Sequence, residues 1–566
     1  MSPVLSEFLE NSIPQGFRIS HLVAYLAVAY LFCATFYRLV LRPYFLSPLC
    51  SLPGPPSENI VMGDYREMLV HEPHQALGKW AKRYGAAVHM VGPLGVERLM
   101  VLKPEALHQI MAKDWLQYPR PAFLRNILGL VSGYGLLTAT GDEHRQIRKA
   151  LNPAFTLSNL MAQSDMYWES IDGYMKAISG FKLVSLTGQS SRLVELLEAK
   201  SEAVENGAVI SVYEWMSKVT LDILCETAFG YKADTLHDPH NELGLAYHKF
   251  AGLQTATNFF KLMVGMTVLP GFPCLLASNW AYRNRKVFDY IPLLSGLSTM
   301  IGSLYEIRRI SKKLLDEKLR EADFASNEDG KRDVMSVLTR ARKAEEQNIS
   351  PGCYGMNEQV MIDQVLTVLG AGHGTIAAGL TWALWLLANH KESQKKLRQE
   401  LEPLMGSGSR PDFRELKDLK WLDCVVMESL RVMPPVPVTV RIAKETGTVD
   451  GIVIPQGTLI YIPIRAVNTC TATWGEDAEE FCPERWLNLP KAYHPSYSFL
   501  SFFAGPHTCI GKTMAIYEMK AILAGLIANF EFEPTHEGQQ VNHTAGITMR
   551  PTDGMPLRIK RIYRPY

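Results

Sequence analysis

The sequence predicts a mainly α-helical protein with small β-sheets. Apolar residues recur at helical spacing over most of the chain, and strand-like runs beside turn residues occur at only a few places. The chain has 566 residues, of which 47% are hydrophobic and 20% are charged. These fractions exclude a disordered protein and a coiled coil. Basic and acidic residues balance at 58 to 57, so we expect no nucleic-acid partner.

The N-terminal region contains a candidate membrane anchor. After a tail at 1–20, residues 21–41 are apolar apart from Arg38, and about twenty helical residues span a bilayer. A cleaved signal peptide is the alternative, since Ala27-Val28-Ala29 resembles a cleavage site. The tail lacks a basic region, and the apolar run continues past Ala29, which favours a retained anchor. Arg38 and Arg42 follow the span, which predicts a body facing the cytosol.

Residues 42–57 are predicted to form a proline-rich hinge before a single body at 58–566. The stretch 52–56 reads LPGPP, and such closely spaced prolines cannot continue a helix. The alternatives are an ordinary linker and a stiff spacer that fixes how the body sits on the membrane.

Three hairpins are expected in the body. Residues 88–91 and 98–102 flank the turn sequence GPLG, and the ranges 451–463 and 547–559 carry similar signals.

Two uncharged stretches could be mistaken for further membrane spans. Residues 364–390 contain four glycines and read as a helix buried on all sides. Residues 262–282 are interrupted by Pro270, Gly271 and Pro273, which favours an apolar loop that touches the membrane.

Nine cysteines are scattered without a Cys-x-x-Cys pair, which fits a reducing compartment. Cys509 differs from the others because it lies between Gly505 and Gly511, just before a helical run. The glycines let the chain turn and approach a flat ligand, and a helix N-terminus favours a thiolate. With the Phe502 ring covering the sulfur, the thiolate could be a haem axial ligand. A small buried core cysteine is the alternative.

The run Phe502-x-x-Gly505-x-His507-x-Cys509-x-Gly511 resembles the haem-binding loop of the cytochrome P450 family. The family usually has an arginine, which pairs with a haem propionate, where His507 stands. The histidine can still donate a hydrogen bond, although its charge depends on pH.

Further motifs follow in the order of that family. Glu428 and Arg431 resemble the Glu-x-x-Arg pair, and Arg485 lies in a segment similar to the Pro-Glu-Arg motif. The resemblance implies that these three residues form a buried triad. It also implies propionate contacts from three residues further from the cysteine, namely His144, Arg148 and Arg441.

Residues 371–375 resemble the oxygen-activating motif of the family, Ala/Gly-Gly-x-Asp/Glu-Thr. The resemblance implies that the gap beside Gly372 makes room for dioxygen and that the Thr375 hydroxyl holds a water or hydroperoxide. Gly374 stands in place of the acid that helps to deliver protons. Water could deliver protons through the space at Gly374, His373 could substitute, or the substrate could supply a hydroxyl. The alternative for His373 is a structural hydrogen bond.

The resemblance implies a cytochrome P450 fold and a monooxygenase that carries haem b, with its iron held by Cys509. It further implies O2, a lipophilic substrate such as a terpenoid or other secondary metabolite, and electrons from NADPH-cytochrome P450 reductase, with cytochrome b5 as a second donor. The sequences of these motifs are similar to those of fungal members of the family. We expect a single-pass protein of the endoplasmic reticulum membrane.

Two other functions stay open at this stage. A haem-thiolate isomerase or dehydratase would act without a reductase, and the missing acid at 374 motivates that hypothesis. A non-catalytic membrane binder of haem or lipid would show no turnover.

Five segments are expected to face the substrate: 118–137, 255–272, 365–375, 435–441 and 545–549. Their apolar side chains are Phe123, Leu124, Phe259, Phe260, Met263, Leu366, Val438 and Ile547.

Overall fold

A computed structural model describes residues 19–562, apart from 58, 72, 180–207, 239, 270, 292, 293, 295, 325–332, 347–356 and 406–409. The tail at 1–20 therefore lies almost wholly outside the described residues. The first half contains α1 (Ile19–Phe36), α2 (Tyr65–Val70), α3 (Pro73–Tyr84), α4 (Pro104–His108), α5 (Ala122–Ser132), α6 (Gly141–Leu151), α7 (Leu157–Met161), α8 (Ser164–Ser179), α9 (Val212–Phe229), α10 (Glu242–Gly252), α11 (Ala256–Val268), α12 (Phe272–Leu276) and α13 (Asn279–Arg283). The second half contains α14 (Leu297–Phe324), α15 (Val334–Glu346), α16 (Glu358–Asn389), α17 (Lys391–Met405), α18 (Phe413–Asp418), α19 (Lys420–Val432), α20 (Ile464–Asn468), α21 (Thr471–Trp474) and α22 (Lys512–Asn529).

The N-terminal helix stands away from the body, and its large apolar side chains are exposed. The helix continues in wider turns over Tyr37–Leu46, so the span that is long and apolar enough to cross a membrane is His21–Leu46. Helical structure therefore runs past the predicted end at 41 and into the predicted hinge. Residues 47 and 52–57 lack helical structure in that hinge. Arg42 forms an ion pair of 3.0 Å with buried Glu97, which ties the end of the span to the body.

Four small sheets are built from eleven strands. The strands are β1 (Ala87–Val91), β2 (Glu97–Val101), β3 (Ala208–Ser211), β4 (Thr439–Ile442), β5 (Gly447–Val449), β6 (Ile452–Ile454), β7 (Leu459–Ile462), β8 (Phe530–Pro534), β9 (His543–Ala545), β10 (Met549–Pro551) and β11 (Pro556–Arg561). One sheet has the order β1-β2-β7-β4, with β2 and β7 parallel, and another has the order β3-β11-β8. The pairs β5-β6 and β9-β10 are separate.

The first predicted hairpin is present as β1-β2, and the other two are wrong in their partners. Asp450 and Gly451 both have positive φ and form a tight turn, but that turn joins β6 to β5, while β7 enters the larger sheet. Gly554 likewise turns the chain between β10 and β11, which belong to different sheets. A turn signal therefore located each reversal without identifying the strand that pairs across it.

The central helix of the body is α16, which packs against α5, α9, α14, α19 and α22. It includes the uncharged stretch 364–390, and half of its most apolar window is buried inside the protein. The prediction of a buried helix is confirmed here. The described residues of 262–282 form parts of α11, α12 and α13 rather than the predicted loop, with breaks at 269 and 271 and at 277–278. Val268, Leu269 and Trp280 on this stretch are more than half exposed.

The buried apolar residues fall into three clusters. The largest surrounds α16, a second lies under the β1-β2-β7-β4 sheet, and a third joins α5, α10 and α14. The loop that carries Cys509 lies where the first two clusters meet, because Phe502 and Ile510 pack on the first and Phe503 packs on the second.

Candidate active site

The loop 501–512 carries Cys509 in a fixed conformation. The Cys509 amide donates a hydrogen bond of 2.9 Å to the Phe502 carbonyl oxygen. Gly505 has a φ of +68°, and a Cβ there would lie 2.1 Å from the Met111 carbonyl oxygen. The close approach expected at Gly505 is therefore to the chain's own backbone and not to a flat ligand. Gly511 precedes α22 and has open space around it, with the Phe155 ring 3.9 Å away from a built Cβ.

Cys509 lies deep in the protein, yet its surface is accessible because it lines an internal cavity. Burial raises the pKa of the Cys509 thiol, and it outweighs the Gly511 amide, Arg148 and Lys512, which lower it. The expectation that the helix N-terminus alone favours a thiolate is therefore not met. A cysteine must be deprotonated to bind a metal, so the thiolate forms together with the metal bond.

Two arginines, Arg120 and Arg148, line the cavity beside Cys509, and Arg441 is buried near Arg120. We call Arg120, Arg148 and Arg441 the cation cluster. Arg148 donates to the carbonyl oxygens of Thr508 at 2.6 Å and Pro506 at 3.3 Å. Arg441 is buried and donates to the Thr439 hydroxyl and the Val440 carbonyl.

Within the described part of the chain, none of these arginines forms an ion pair with a carboxylate. Burial and the neighbouring Arg125 lower the pKa of Arg120 to about 10, so Arg120 remains cationic at neutral pH. Burial also lowers the pKa of Arg148 and that of Arg441. Buried unpaired cations are costly, so the cation cluster fits an anionic ligand in the cavity.

His507 lies within this cluster, with its Nδ1 3.5 Å from the Arg120 guanidinium. Burial, then Arg120 and the neighbouring cations, lower the pKa of His507 to about 2. These neighbours favour the neutral form of His507, because a second proton would add positive charge beside Arg120. The His144 ring packs beside it at an angle of 58°, with 4.2 Å between ring centroids, and burial lowers the pKa of His144 to about 4.

Arg120 is the site residue that the sequence analysis missed. It lies in the segment 118–137, which was predicted to face the cavity, but only the apolar residues of that segment were singled out. An arginine between Pro119 and Pro121 was the available signal, since the two prolines fix the backbone that presents it. The cation beside His507 is therefore Arg120, a residue far away in sequence.

The opposite wall of the cavity is formed by α16. Thr375 lines the cavity, and its hydroxyl donates to the Ala371 carbonyl oxygen at 2.7 Å. Thr367, Gly370 and Ala371 line the same face. This face is therefore apolar apart from threonine hydroxyl groups.

Gly372 and His373 point away from the cavity. A Cβ at Gly372 would lie 2.7 Å from the Leu224 side chain, so the glycine permits close packing of α16 on α9. The expectation that Gly372 opens space for dioxygen is wrong, because Ala371 and not Gly372 lines the cavity. His373 is buried against Tyr247, and its Nδ1 lies 2.8 Å from the Leu369 carbonyl oxygen. This arrangement agrees with the structural alternative, and it does not allow His373 to replace the missing acid.

Gly374 has open space at its side-chain position, since no atom lies within 4 Å of a built Cβ. The charged or titratable side chains around the cavity that Cys509 lines are arginines and histidines near Cys509, together with Tyr65, Tyr461 and Cys509 itself. The described lining thus contains no carboxylate.

Glu428, Arg431 and Arg485 meet beneath the Cys509 loop. Two guanidinium nitrogens of Arg431 lie 2.7 Å from the two carboxylate oxygens of Glu428, and both residues are fully buried. Arg485 lies 3.5 Å from Glu428 and also binds Asp477. Arg431 further donates to the carbonyls of Asn468 and Ala478. Because so many donors and acceptors are satisfied, this buried group holds α19 against the segments before the Cys509 loop.

The cavity between Cys509 and α16 has a volume of about 350 Å³, and we call it the main cavity. Six of the eight apolar side chains predicted to face substrate line it: Phe123, Leu124, Phe259, Met263, Val438 and Ile547. Phe260 instead packs on Tyr65, with ring centroids 5.1 Å apart, and Leu366 is buried in the core around α16.

Comparison with known proteins decides what this arrangement is. The family model described as cytochrome P450 matches residues 53–557. The chain is a cytochrome P450. The family confirms a helical P450 fold and a haem-thiolate monooxygenase that uses O2, a substrate and a redox partner.

Three relatives show how far the similarity extends. Cytochrome P450 monooxygenase sphH of Aspergillus fumigatus is 30% identical, over 92% of this chain and 89% of that protein. Cytochrome P450 monooxygenase 205 of Postia placenta is 30% identical, over 89% and 90%. Cytochrome P450 monooxygenase claW of Ampulloclitocybe clavipes is 29% identical, over 90% and 92%. The P450 therefore aligns with these fungal relatives over nearly their whole length.

The P450 family carries haem with iron and an axial cysteine thiolate. The residues present fit that group. A thiol lines the floor of a large cavity, apolar walls surround it, and the unpaired cation cluster matches the two propionates of haem.

Proposed function

We propose that this P450 inserts one oxygen atom into a lipophilic molecule and that Cys509 holds the haem iron. The single observation that carries the assignment is the main cavity, which places Cys509 and Thr375 in one apolar chamber beside the cation cluster. Arg120, Arg148 and Arg441 hold the propionates, with hydrogen bonds from His507 and His144. Phe502, Gly505 and Gly511 shape the loop around the sulfur. When bound, the haem supplies the activation of O2 that the reaction requires.

Thr375 positions a proton donor on the opposite side of the cavity. Its own hydroxyl proton is directed at the Ala371 carbonyl, so its free lone pairs accept a hydrogen bond from a water molecule. The open space at Gly374 admits that water, and the described lining has no carboxylate to take its place. Of the three hypotheses raised for proton delivery, this geometry favours water.

The electron donor is proposed to be a separate NADPH-cytochrome P450 reductase, with cytochrome b5 as a second donor. The glycines of the sequence GAGHG lie in the middle of α16 and not between a strand and a helix, so they do not form a dinucleotide-binding turn. This observation supports a separate protein as the source of electrons.

The protein is proposed to be anchored in the endoplasmic reticulum membrane by one span, with the haem domain in the cytosol. The exposed apolar span, the arginines that follow it and the exposed apolar residues of α11–α13 support this arrangement. A lipophilic substrate, such as a terpenoid or other secondary metabolite, agrees with the apolar lining of the main cavity.

Co-expression with a fungal reductase and metabolite profiling of the host test the proposed reaction. We expect a product that contains one more oxygen atom and that depends on NADPH, reductase and O2. Equal turnover without the reductase would contradict the proposal and favour an isomerase or dehydratase. A haem-loaded protein that gives no product with any substrate offered from the host would contradict it in favour of a binder.

A further inference from the structure

A single turn of α16 separates the wall of the main cavity from a carboxylate. Asp363, Thr367, Gly370 and Gly374 follow one another at spacings of four, three and four residues, so they share one face of the helix. Thr367 and Gly370 line the main cavity. Asp363 is half-buried and lies one turn before Thr367. A carboxylate therefore stands on the same face as Gly374, about three turns earlier in the helix.

The segment 132–136 lies against this turn of the helix. A Cβ built on Gly133 would lie 2.9 Å from a carboxylate oxygen of Asp363. A Cβ built on Gly135 would lie 2.5 Å from the hydroxyl oxygen of Thr367. The carboxylate and the hydroxyl group are therefore covered by the same short segment, which approaches α16 closely because it carries glycine at both positions.

Gln364 occupies the same turn and has an unused donor. Its side chain is fully buried, and its Oε1 accepts a hydrogen bond of 3.1 Å from the Leu136 amide. Its Nε2 has no partner among the residues that the structure describes. A buried N–H group without a partner is costly, and an ordered water molecule is the usual partner for such a group. The amide therefore indicates a water site within the turn that joins Asp363 to Thr367.

Hydroxyl groups continue this polar line along the main cavity. Thr367 donates its own proton to the Ser132 carbonyl oxygen at 2.7 Å, so its lone pairs accept a hydrogen bond from water. The Ser132 hydroxyl lies beside Gly370, where a built Cβ would be 2.5 Å from the hydroxyl oxygen. Ser132, Thr367 and Thr375 all line the main cavity. Their hydroxyl groups therefore provide places for water along an otherwise apolar wall.

The outer end of the line reaches solvent at Asp363. Its carboxylate is half-buried and accepts a hydrogen bond of 3.4 Å from the Gln359 side chain. Arg308 on α14 and Tyr134 lie near enough to interact with its charge. Partial exposure lets this carboxyl group exchange protons with bulk water.

We propose that Asp363 supplies protons to the main cavity, in the role of the acid that is missing at position 374. The inference rests on the proposed function, because it assumes that O2 reacts between Cys509 and Thr375. Asp363 contacts neither the substrate nor the cofactor, and it acts only through water.

Each transfer is balanced at the Asp363 carboxyl group. The carboxylate takes up one proton from bulk water, gives it to the water at Gln364 and returns to its ionised form. The proton then passes along water molecules that the Thr367 and Ser132 hydroxyl groups hold, until it reaches the water at Thr375. Only protons move along this line, and the electrons come from NADPH.

Consumption of NADPH by the haem-loaded protein tests the inference, with excess reductase, O2 and no organic substrate. Reduction of O2 consumes protons, so a blocked supply slows it. Asp363→Asn keeps the shape of the side chain and removes its proton exchange, and the rate should fall by about tenfold or more. Glu358→Gln changes an exposed acid on the same helix and should alter the rate by less than about twofold.

A double variant separates proton supply from a merely structural role. Gly374→Asp, added to Asp363→Asn, places an acid where the family has one and should restore most of the lost rate. The solvent isotope effect on this rate should rise in Asp363→Asn and fall again in the double variant. A crystal structure of the haem-loaded wild type should show an ordered water on the Nε2 of Gln364.

An unchanged rate in Asp363→Asn would overturn the inference, and so would a lost rate that Gly374→Asp fails to restore. A protein group in place of water at the Nε2 of Gln364 would also overturn it. Wild-type protein that consumes no NADPH with the reductase would instead count against the proposed function, so the two failures are distinguishable.

Discussion

The two sides of the main cavity are built by opposite means. On the Cys509 side, charged groups are numerous and hydrogen bonds fix the loop, Arg148, Glu428 and Arg431. On the α16 side, Thr375, whose hydroxyl is bonded to its own helix, lines the same chamber, and the neighbouring Gly374 has empty space at its side-chain position. The contrast indicates that the first side must hold a charged group rigidly, whereas the second must leave room for small molecules to enter and leave.

The largest effect is expected beneath the Cys509 loop. Arg431→Ala leaves the fully buried Glu428 with Arg485, 3.5 Å away, as its remaining cationic partner, and breaking a buried pair costs about 3–5 kcal/mol of stability. We expect loss of folded, haem-containing protein, measured by thermal unfolding and haem content. As a control, Arg410→Ala breaks a partly exposed pair with Asp172 and should cost less than about 1 kcal/mol. Similar losses in both variants would show that the buried group is not special.

The next effect separates Arg120 from His507. Arg120→Gln removes a buried cation, and we expect haem affinity to fall by about 10- to 100-fold, as for a lost charge-assisted hydrogen bond. His507→Gln removes only a neutral partner, so its effect should stay below about tenfold. Transfer of haem to excess apomyoglobin measures both. If His507→Gln lowers haem affinity more than Arg120→Gln does, then His507 itself takes the role of the arginine that the family usually has at position 507.

A smaller effect is expected on the α16 side. Gly374→Asp places an acid in open space, and coupling of NADPH consumption to product should rise by about twofold or more if proton delivery limits the reaction. Product formed per NADPH consumed is the measurement. Gly372→Asp is the matched control and should fail to fold, since its side chain would collide with Leu224. Unchanged or lower coupling in the first variant would show that water at Gly374 already suffices.

The smallest effect concerns a carboxyl group near neither wall. Glu518 on α22 is fully buried, and burial raises its pKa well above the ordinary value. Above about pH 4.3 the unfolded carboxyl is ionised, so folding requires it to take up a proton. The free energy of unfolding therefore falls as pH rises because of this group. Relative to wild type, Glu518→Gln should gain melting temperature progressively from pH 5 to pH 8.

Glu533→Gln provides the opposite sign. Lys391 and Lys560 lower the pKa of Glu533, so its stabilising contribution is present above the unfolded pKa and is lost as pH falls. Relative to wild type, this variant should lose melting temperature as pH rises from 3 to 6. Parallel pH curves for both variants would contradict the assigned directions.

Sequence reasoning reached the features that depend on local pattern. The helical body, the buried helix around 364–390 and the first hairpin follow from apolar periodicity and a turn signal between adjacent strands. The partners of β7 and β11 could not be predicted, because those strands pair with segments that are chosen by packing and not by the nearest turn.

The site divides in the same way. Cys509 and Thr375 occupy positions that family motifs mark, whereas Arg120 matches no motif and reaches the cavity only through the fold. The direction of Gly372 was misjudged because the rotation of α16 depends on its contact with Leu224. The lowered pKa of His507 likewise depends, besides burial, on Arg120 and Arg441, which are distant in sequence.

The assignment of Cys509 as the iron ligand is tested most directly by the absorption spectrum of the reduced protein treated with carbon monoxide. Cys482→Ala serves as the matched control, because it removes a partly buried thiol away from the cavity. We expect wild type and Cys482→Ala to show the band of thiolate-ligated haem and Cys509→Ala to lose it. Survival of that band in Cys509→Ala would contradict the account of this site.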